Sequence, residues 1–193
     1  MPNDIGFPLL LLKDFKLKTP QGKLLKDGLS FEIWPGDVLY LKGENGTGKT
    51  TLAKEIYSLS KKQKLNVEFL PQLSSLRSSL PFTLAEVVAL SEVQLKELPA
   101  ELISLEILQR PWNHASGGER KKALLVRSLL KKPDILILDE PFNHLDVETI
   151  LEIQSLLWRF VATHELKAIV LATHQEIHAT PELASINLKE VRL

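Results

Sequence analysis

Apolar and polar positions follow two periods along this chain. In "LSFEI" (29–33) apolar side chains occupy every second position, as in a strand with one buried face. "VLYLKG" (38–43), "DILILDE" (134–140) and "KAIVLATH" (167–174) are short continuous apolar runs instead. Such runs belong to strands covered on both faces, as in parallel sheets. "KTTLAKEIYSL" (49–59) and "VETILEIQSLLWRF" (147–160) repeat apolar residues at helical spacing. "VEFLPQ" (67–72) reads as another strand, and "TLAEVVAL" (83–90) as a helix opened by a capping box of Thr83 and Glu86. "AELISLEILQR" (100–110) carries helical periodicity, and "ASINLKEVRL" predicts a closing hairpin. Residues 7–43 are therefore expected to be β, with turns at "PQG" and "PGD", and 80–130 mostly helical. Strand–helix–strand alternation predicts an α/β fold with a mainly parallel sheet.

Composition narrows the function classes. The chain has 193 residues, enough for one domain with its own core. It carries 24 Lys+Arg against 24 Asp+Glu, so no net charge draws it to nucleic acid or an anionic membrane. Without cysteine it has neither disulfides nor thiolate metal sites. "MPNDIGFPLLLLKDF" lacks the basic start and long apolar stretch of a signal peptide. No apolar run approaches the roughly 20 residues that span a bilayer, so a membrane role is expected to act through a partner.

"GENGTGKTT" (43–51) is where chemistry enters, because it fits G-x-x-x-x-G-K-[ST]. It lies between a strand and a helix, as its mechanism requires. The loop of Gly43, Glu44, Asn45, Gly46, Thr47 and Gly48 can wrap its amides around phosphates at the start of a helix. Lys49 is expected to reach the β- and γ-phosphates and Thr50 to offer its hydroxyl to Mg²⁺, with Thr51 beside them. Asp139 and Glu140 close a buried strand, and strand alternation predicts that they face opposite ways. Asp139 would then hold Mg²⁺ through its water shell, and Glu140 would polarise the attacking water. Gln72 and His174 also end strands; alone, Gln72 reads as a surface residue and His174 more often as structural than catalytic.

"NHASGGERKK" (113–122) poses a different question. Ser116 and Glu119 form a second capping box, but Gly117 and Gly118 fill the first turn. Glycine costs about 0.5–1 kcal/mol against alanine inside a helix, and a plain cap needs neither. Something is expected to approach this helix end closely.

The order phosphate loop, Gln72, "SGGE", "LILDEP", "HLD" and "ATH" resembles the ATP-binding cassette (ABC) ATPases from about residue 9 to 178. The resemblance implies one domain over 1–193, with an α/β core, an antiparallel β edge and a helical lobe at about 73–130. It matches Lys49 and Thr50 to the Walker A motif and Gln72 to the Q-loop. Ser116, Gly117, Gly118 and Glu119 match the signature motif, and Asp139 and Glu140 match Walker B and the catalytic glutamate. Asn143 to Asp146 match the D-loop, and His174 the switch histidine. ATP and Mg²⁺ are the implied cofactors.

A second cassette, identical or different, is the implied head-to-tail partner, its signature covering this chain's ATP. Integral membrane subunits are the further partners, which would place the chain peripherally at the cytoplasmic face; no nucleic acid is expected. The implied function is powering transport through those subunits. The alternative is a soluble ribosome-acting ATPase like the ABC-F group, which "NHLD" resembles. Thr19 falls where the family carries a base-stacking aromatic, leaving Phe15 as the nearest aromatic. The short span from Lys49 to Gln72 predicts a trimmed edge hairpin.

Overall fold

The computed structural model describes residues 6–72, 81–89, 103–178 and 180–193. Strands β1 (Leu10–Lys18) and β2 (Leu24–Ile33) pair antiparallel in a sheet of their own. Strands β3 (Asp37–Lys42), β4 (Val67–Leu70), β5 (Ile135–Asp139), β6 (Ala168–Ala172) and β7 (Asn187–Arg192) form a five-stranded sheet in the order β4-β5-β6-β3-β7. Every neighbouring pair in it is parallel.

The apolar runs explain this sheet. Successive side chains point to opposite faces, and both faces are covered. Ile135, Ile137, Val170, Leu39 and Leu41 pack into one core with helix α1 (Lys49–Lys62) and the β1–β2 sheet. Leu136, Leu138, Ile169, Leu171 and Val38 pack into another with helices α2 (Leu84–Ala89), α4 (Gly117–Leu130) and α5 (Val147–Ala162). Truncating a fully buried leucine such as Leu136 to alanine costs about 2–5 kcal/mol at such a site.

The helices start where their caps specify. Thr83 and Glu86 bond reciprocally at the head of α2. Ser116 and Glu119 form a full capping box on α4, and the Asp146 side chain accepts from the Thr149 N–H at 2.8 Å to open α5.

Two expectations need correction. Within the described residues, the helix expected over 100–110 is the four-residue α3 (Leu105–Leu108); residues 100–102 lie outside them. Pro111 disfavours helical geometry at Arg110. The chain there pairs with 82–84 instead, through Trp112 N–H to the Phe82 carbonyl and Leu84 N–H to that of Arg110. The closing hairpin is absent too. Pro181–Ser185 forms a 3₁₀ turn, and the single strand β7 extends the parallel sheet beside β3. The expected lobe at about 73–130 corresponds to α2, α3 and α4, with 73–80 and 90–102 outside the described residues. The antiparallel sheet has two strands among the described residues, and α1 leads straight to β4.

Candidate nucleotide site

Three neighbouring strands deliver the chemistry to one edge. Leu41 of β3 and Asp139 of β5 both pair with Ala172 of β6. The segments that follow therefore leave the sheet side by side at its carboxyl edge, where open parallel sheets bind ligands.

The phosphate loop leaves β3. Gly46 and Gly48 hold left-handed backbone, with φ of 86° and 109°, which only glycine adopts cheaply. A Cβ on Gly48 would also stand 2.9 Å from Leu25 Cδ1. Thr47 tightens the loop by donating its hydroxyl to the Glu44 carbonyl at 2.9 Å. Helix α1 begins at Lys49, so its first unpaired amides and its dipole face the loop. Lys49 is buried, and its ammonium donates to the carbonyls of Gly43 at 2.8 Å and Glu44 at 2.9 Å. It also stands 3.4 Å from Glu140 Oε1.

Asp139 and Glu140 part company by backbone geometry, not by strand alternation. Glu140 adopts φ 48°, a left-handed turn out of β5, with its N–H on the Ala172 carbonyl at 2.7 Å. Its buried carboxylate is compensated on every side, as a buried charge must be. Beyond Lys49, Thr173 donates its hydroxyl to Oε2 at 3.1 Å, and His174 Nδ1 lies 3.0 Å from the same oxygen. Asp139, also buried, takes the Thr50 hydroxyl at 2.9 Å to both carboxylate oxygens. Burial raises the Asp139 carboxyl above its ordinary range; Glu140 adds to the rise, while Thr50, Lys54 and Lys49 oppose it. A hydroxyl and a carboxylate held together in this way are hard oxygen donors that suit Mg²⁺. Among the described residues, no cluster of three or more His, Cys, Asp or Glu could hold a metal.

A groove of about 460 Å³ opens over the loop. Asn45, Gly46, Gly48, Lys49, Thr50 and Thr51 line it from the loop, and Gln72, Glu140 and Asn143 from the other strand ends. Thr19 and Leu25 complete its lining. Gln72 thus joins the cluster from an exposed position. Phe15 does not: it is partly buried, packs against the core beneath β1 and β2, and pairs with Leu29. Among the described residues the groove lining therefore offers no aromatic ring.

The signature residues do not line this groove. Glu119 is fully engaged by its own chain: one oxygen accepts from the Ser116 N–H at 2.8 Å, the other from Arg110 at 2.7 Å. Arg120 braces the same helix end by donating to the Trp112 carbonyl at 2.8 Å, its guanidinium 5.6 Å from that ring's centre. Beside Gly118, a Cβ would touch Thr149 at 3.4 Å; beside Gly117 it would meet no described residue within 4 Å. Nothing among the described residues accounts for glycine at 117.

Sequence reasoning passed over Thr173, Leu25 and Lys121. Thr173 directly precedes the singled-out His174, and Leu25 emerges only from β2 register. Lys121 lies on α4, yet its ammonium reaches the Asn143 carbonyl beyond Glu140. Burial lowers this lysine to about 8, with Glu140 opposing the shift.

Geometry of this kind binds a phosphate chain and places a carboxylate beside it. Residues 26–143 match the family model described as "ABC transporter". The chain is 30% identical over 187 residues to the zinc import ATP-binding protein ZnuC of Pseudomonas savastanoi pv. phaseolicola (strain 1448A / Race 6), covering 88% of this chain and 69% of that one. It is 29% identical over 187 residues to the zinc import ATP-binding protein ZnuC 1 of Hahella chejuensis (strain KCTC 2396), covering 87% and 73%. The solved structure of cbiO1 from Clostridium perfringens, part of the ABC transporter complex cbiONQ, superposes with a TM-score of 0.72 at 20% identity, over 87% of this chain and 79% of that one. This chain belongs to the ABC transporter family, as an ATP-binding and ATP-hydrolysing domain. The relatives are named as transporter subunits, and the ribosome-acting alternative finds no support. Among the described residues, no helix is long and apolar enough to cross a membrane.

Proposed function

We propose that this chain is a Mg²⁺-dependent ATPase subunit that powers import through separate membrane subunits at the cytoplasmic face. One observation carries the chemistry: Glu140 is buried beside Lys49, Thr173 and His174 at the mouth of the phosphate loop. In this reading the loop from Gly43 to Gly48 and the first turn of α1 hold the phosphates, and Lys49 takes the β- and γ-oxygens. Glu140 accepts the proton of the attacking water, and His174 orients Glu140 and meets the γ-phosphate. Mg²⁺, held by Thr50 and through Asp139 with Gln72 nearby, supplies neutralisation of the phosphate charge.

A second cassette completes the site. Ser116 and Gly117 present a capped helix end with open space before it, and none of the described residues fills that space. The γ-phosphate of an ATP held by another cassette fits there. The relatives named for zinc import, and the fold likeness to a part of a transporter complex, support membrane subunits as the coupled partner.

The test is affinity purification of the Glu140→Gln variant with ATP from detergent-solubilised cells. The expected result is a dimer of cassettes together with a multi-span membrane protein. Recovery of the chain alone, as a monomer, would overturn the assembly proposed here.

A further inference from the structure

We propose that Lys121 is a positioning residue for hydrolysis: its ammonium ties helix α4 to the turn that carries Glu140. The inference rests on the reading of Glu140 as the group that activates water.

The turn from Glu140 to Asp146 needs outside support. Two of its non-glycine residues, Glu140 and His144, hold left-handed backbone with φ of 48° and 62°. Such residues persist only where their surroundings over-determine them. The supports are identifiable. Glu140 donates its N–H to the Ala172 carbonyl, Leu145 donates to Phe142, Phe142 is fully buried, and Asp146 caps α5. All of these come from the sheet or from the turn and its own helix. Lys121 alone among the supports named reaches in from α4, donating to the Asn143 carbonyl.

A lysine is a costly choice there. It lines a small cavity with Leu70, Leu125, Leu138 and Ile153, whose apolar walls disfavour its charge. Pro71, Asp139, Glu140 and Pro141 form the remaining wall, so the ammonium faces the catalytic carboxylate as well as the Asn143 carbonyl. A neutral apolar residue would fill the cavity without that penalty. What lysine adds is a donor and a positive charge at the turn. The helix that begins at Ser116 and the carboxylate that serves the phosphate loop thereby move as one body.

Steady-state ATP hydrolysis by Lys121→Met and Lys121→Arg tests this. The methionine variant keeps the apolar stem and should lose about tenfold or more in kcat, with KM for ATP within about threefold of wild type. Arginine keeps donor and charge and should restore kcat to within about threefold. A purely packing role predicts the opposite ranking, because methionine fits the cavity better. A methionine variant with wild-type kcat, or a loss that arginine fails to recover, would overturn the inference. Should the methionine variant not fold, Lys121→Leu, which likewise lacks donor and charge, is held to the same kcat and KM criteria. A wild-type complex, assembled with its partner subunits, that hydrolyses no ATP would sink the reading of Glu140 itself; an active wild-type complex with indifferent variants sinks only the role of Lys121.

Discussion

His174 Nδ1 lies 3.0 Å from Glu140 Oε2, while Lys49 stands 3.4 Å from the other oxygen of the same carboxylate. Two strand ends and the phosphate loop thus converge on one buried acid. Glu140→Gln keeps its volume but cannot accept a proton. Its ATP affinity should stay within about threefold of wild type, while turnover falls by about 10²-fold or more. Equilibrium nucleotide binding alongside phosphate release checks both. Equal losses in the two would mean that Glu140 serves binding.

Lys49 and Glu140 are both buried, so removing Lys49 takes a full opposite charge from beside the Glu140 carboxylate. Lys49→Met should abolish tight ATP binding. In urea without nucleotide it should also destabilise the fold by about 1–3 kcal/mol. Glu140→Gln in the same chain should recover most of that loss, because the two sites are coupled. Strict additivity in the double-mutant cycle would show that the 3.4 Å pair carries no stability.

Much of this arrangement was legible in the sequence because the residues are punctuation of regular elements. Continuous apolar runs specified β5 and β6, and the groups that follow them fell into place at their carboxyl ends. The capping pairs Thr83–Glu86 and Ser116–Glu119 could be read directly, since a cap is a local interaction. What escaped was long-range. Strand alternation could not reveal the left-handed turn at Glu140, which is imposed by its bond to Ala172 on the neighbouring strand. Phe15 packs against a core because β1 pairs with β2 in a register that no local pattern shows. Lys121 meets Asn143 only after α4 has packed on the sheet, and a lysine on a helix ordinarily reads as solvated.

The lining of the groove gives a prediction about the base. Thr19 and Leu25 are part of it, and the Thr19 hydroxyl already accepts from the Lys23 N–H at 3.2 Å. An aliphatic wall offers a base no aromatic face, and base–aromatic stacking is worth about 1–3 kcal/mol. Thr19→Tyr should therefore tighten ATP binding about fivefold or more, and isothermal titration of ATP against both chains measures it. Weaker binding by the tyrosine variant would show that the base lies elsewhere.

Gly117 separates stability from function. Its open surroundings leave room for a methyl group within this chain. Gly117→Ala should leave the isolated domain as stable as before, or more stable by up to about 1 kcal/mol. Turnover should nonetheless drop about tenfold or more, because the methyl would intrude on a phosphate held by the opposing cassette. Thermal melts and phosphate release on one preparation decide the matter. Full activity would mean that nothing closes on this helix end.

The pH dependence of stability reports on Lys121, with a sign that follows from its surroundings. Burial lowers this lysine from 10.5 to about 8, against the pull of Glu140. Below pH 8 both the folded and the unfolded chain carry the proton, and burying that charge costs stability. Between about pH 8 and 10.5 the folded chain has released the proton while the unfolded chain retains it. The unfolded state then binds more protons, so this group's contribution to stability rises with pH across that window. Lys121→Met has no such group. The unfolding free energy of wild type relative to this variant should accordingly be flat below pH 8 and climb above it. Lys121 is only half-buried, so the climb should be shallower than a full proton would give. Urea titrations of both chains at pH 7, 8, 9 and 10 test this, and a difference that falls with pH would show that Lys121 is stabilised in its charged form.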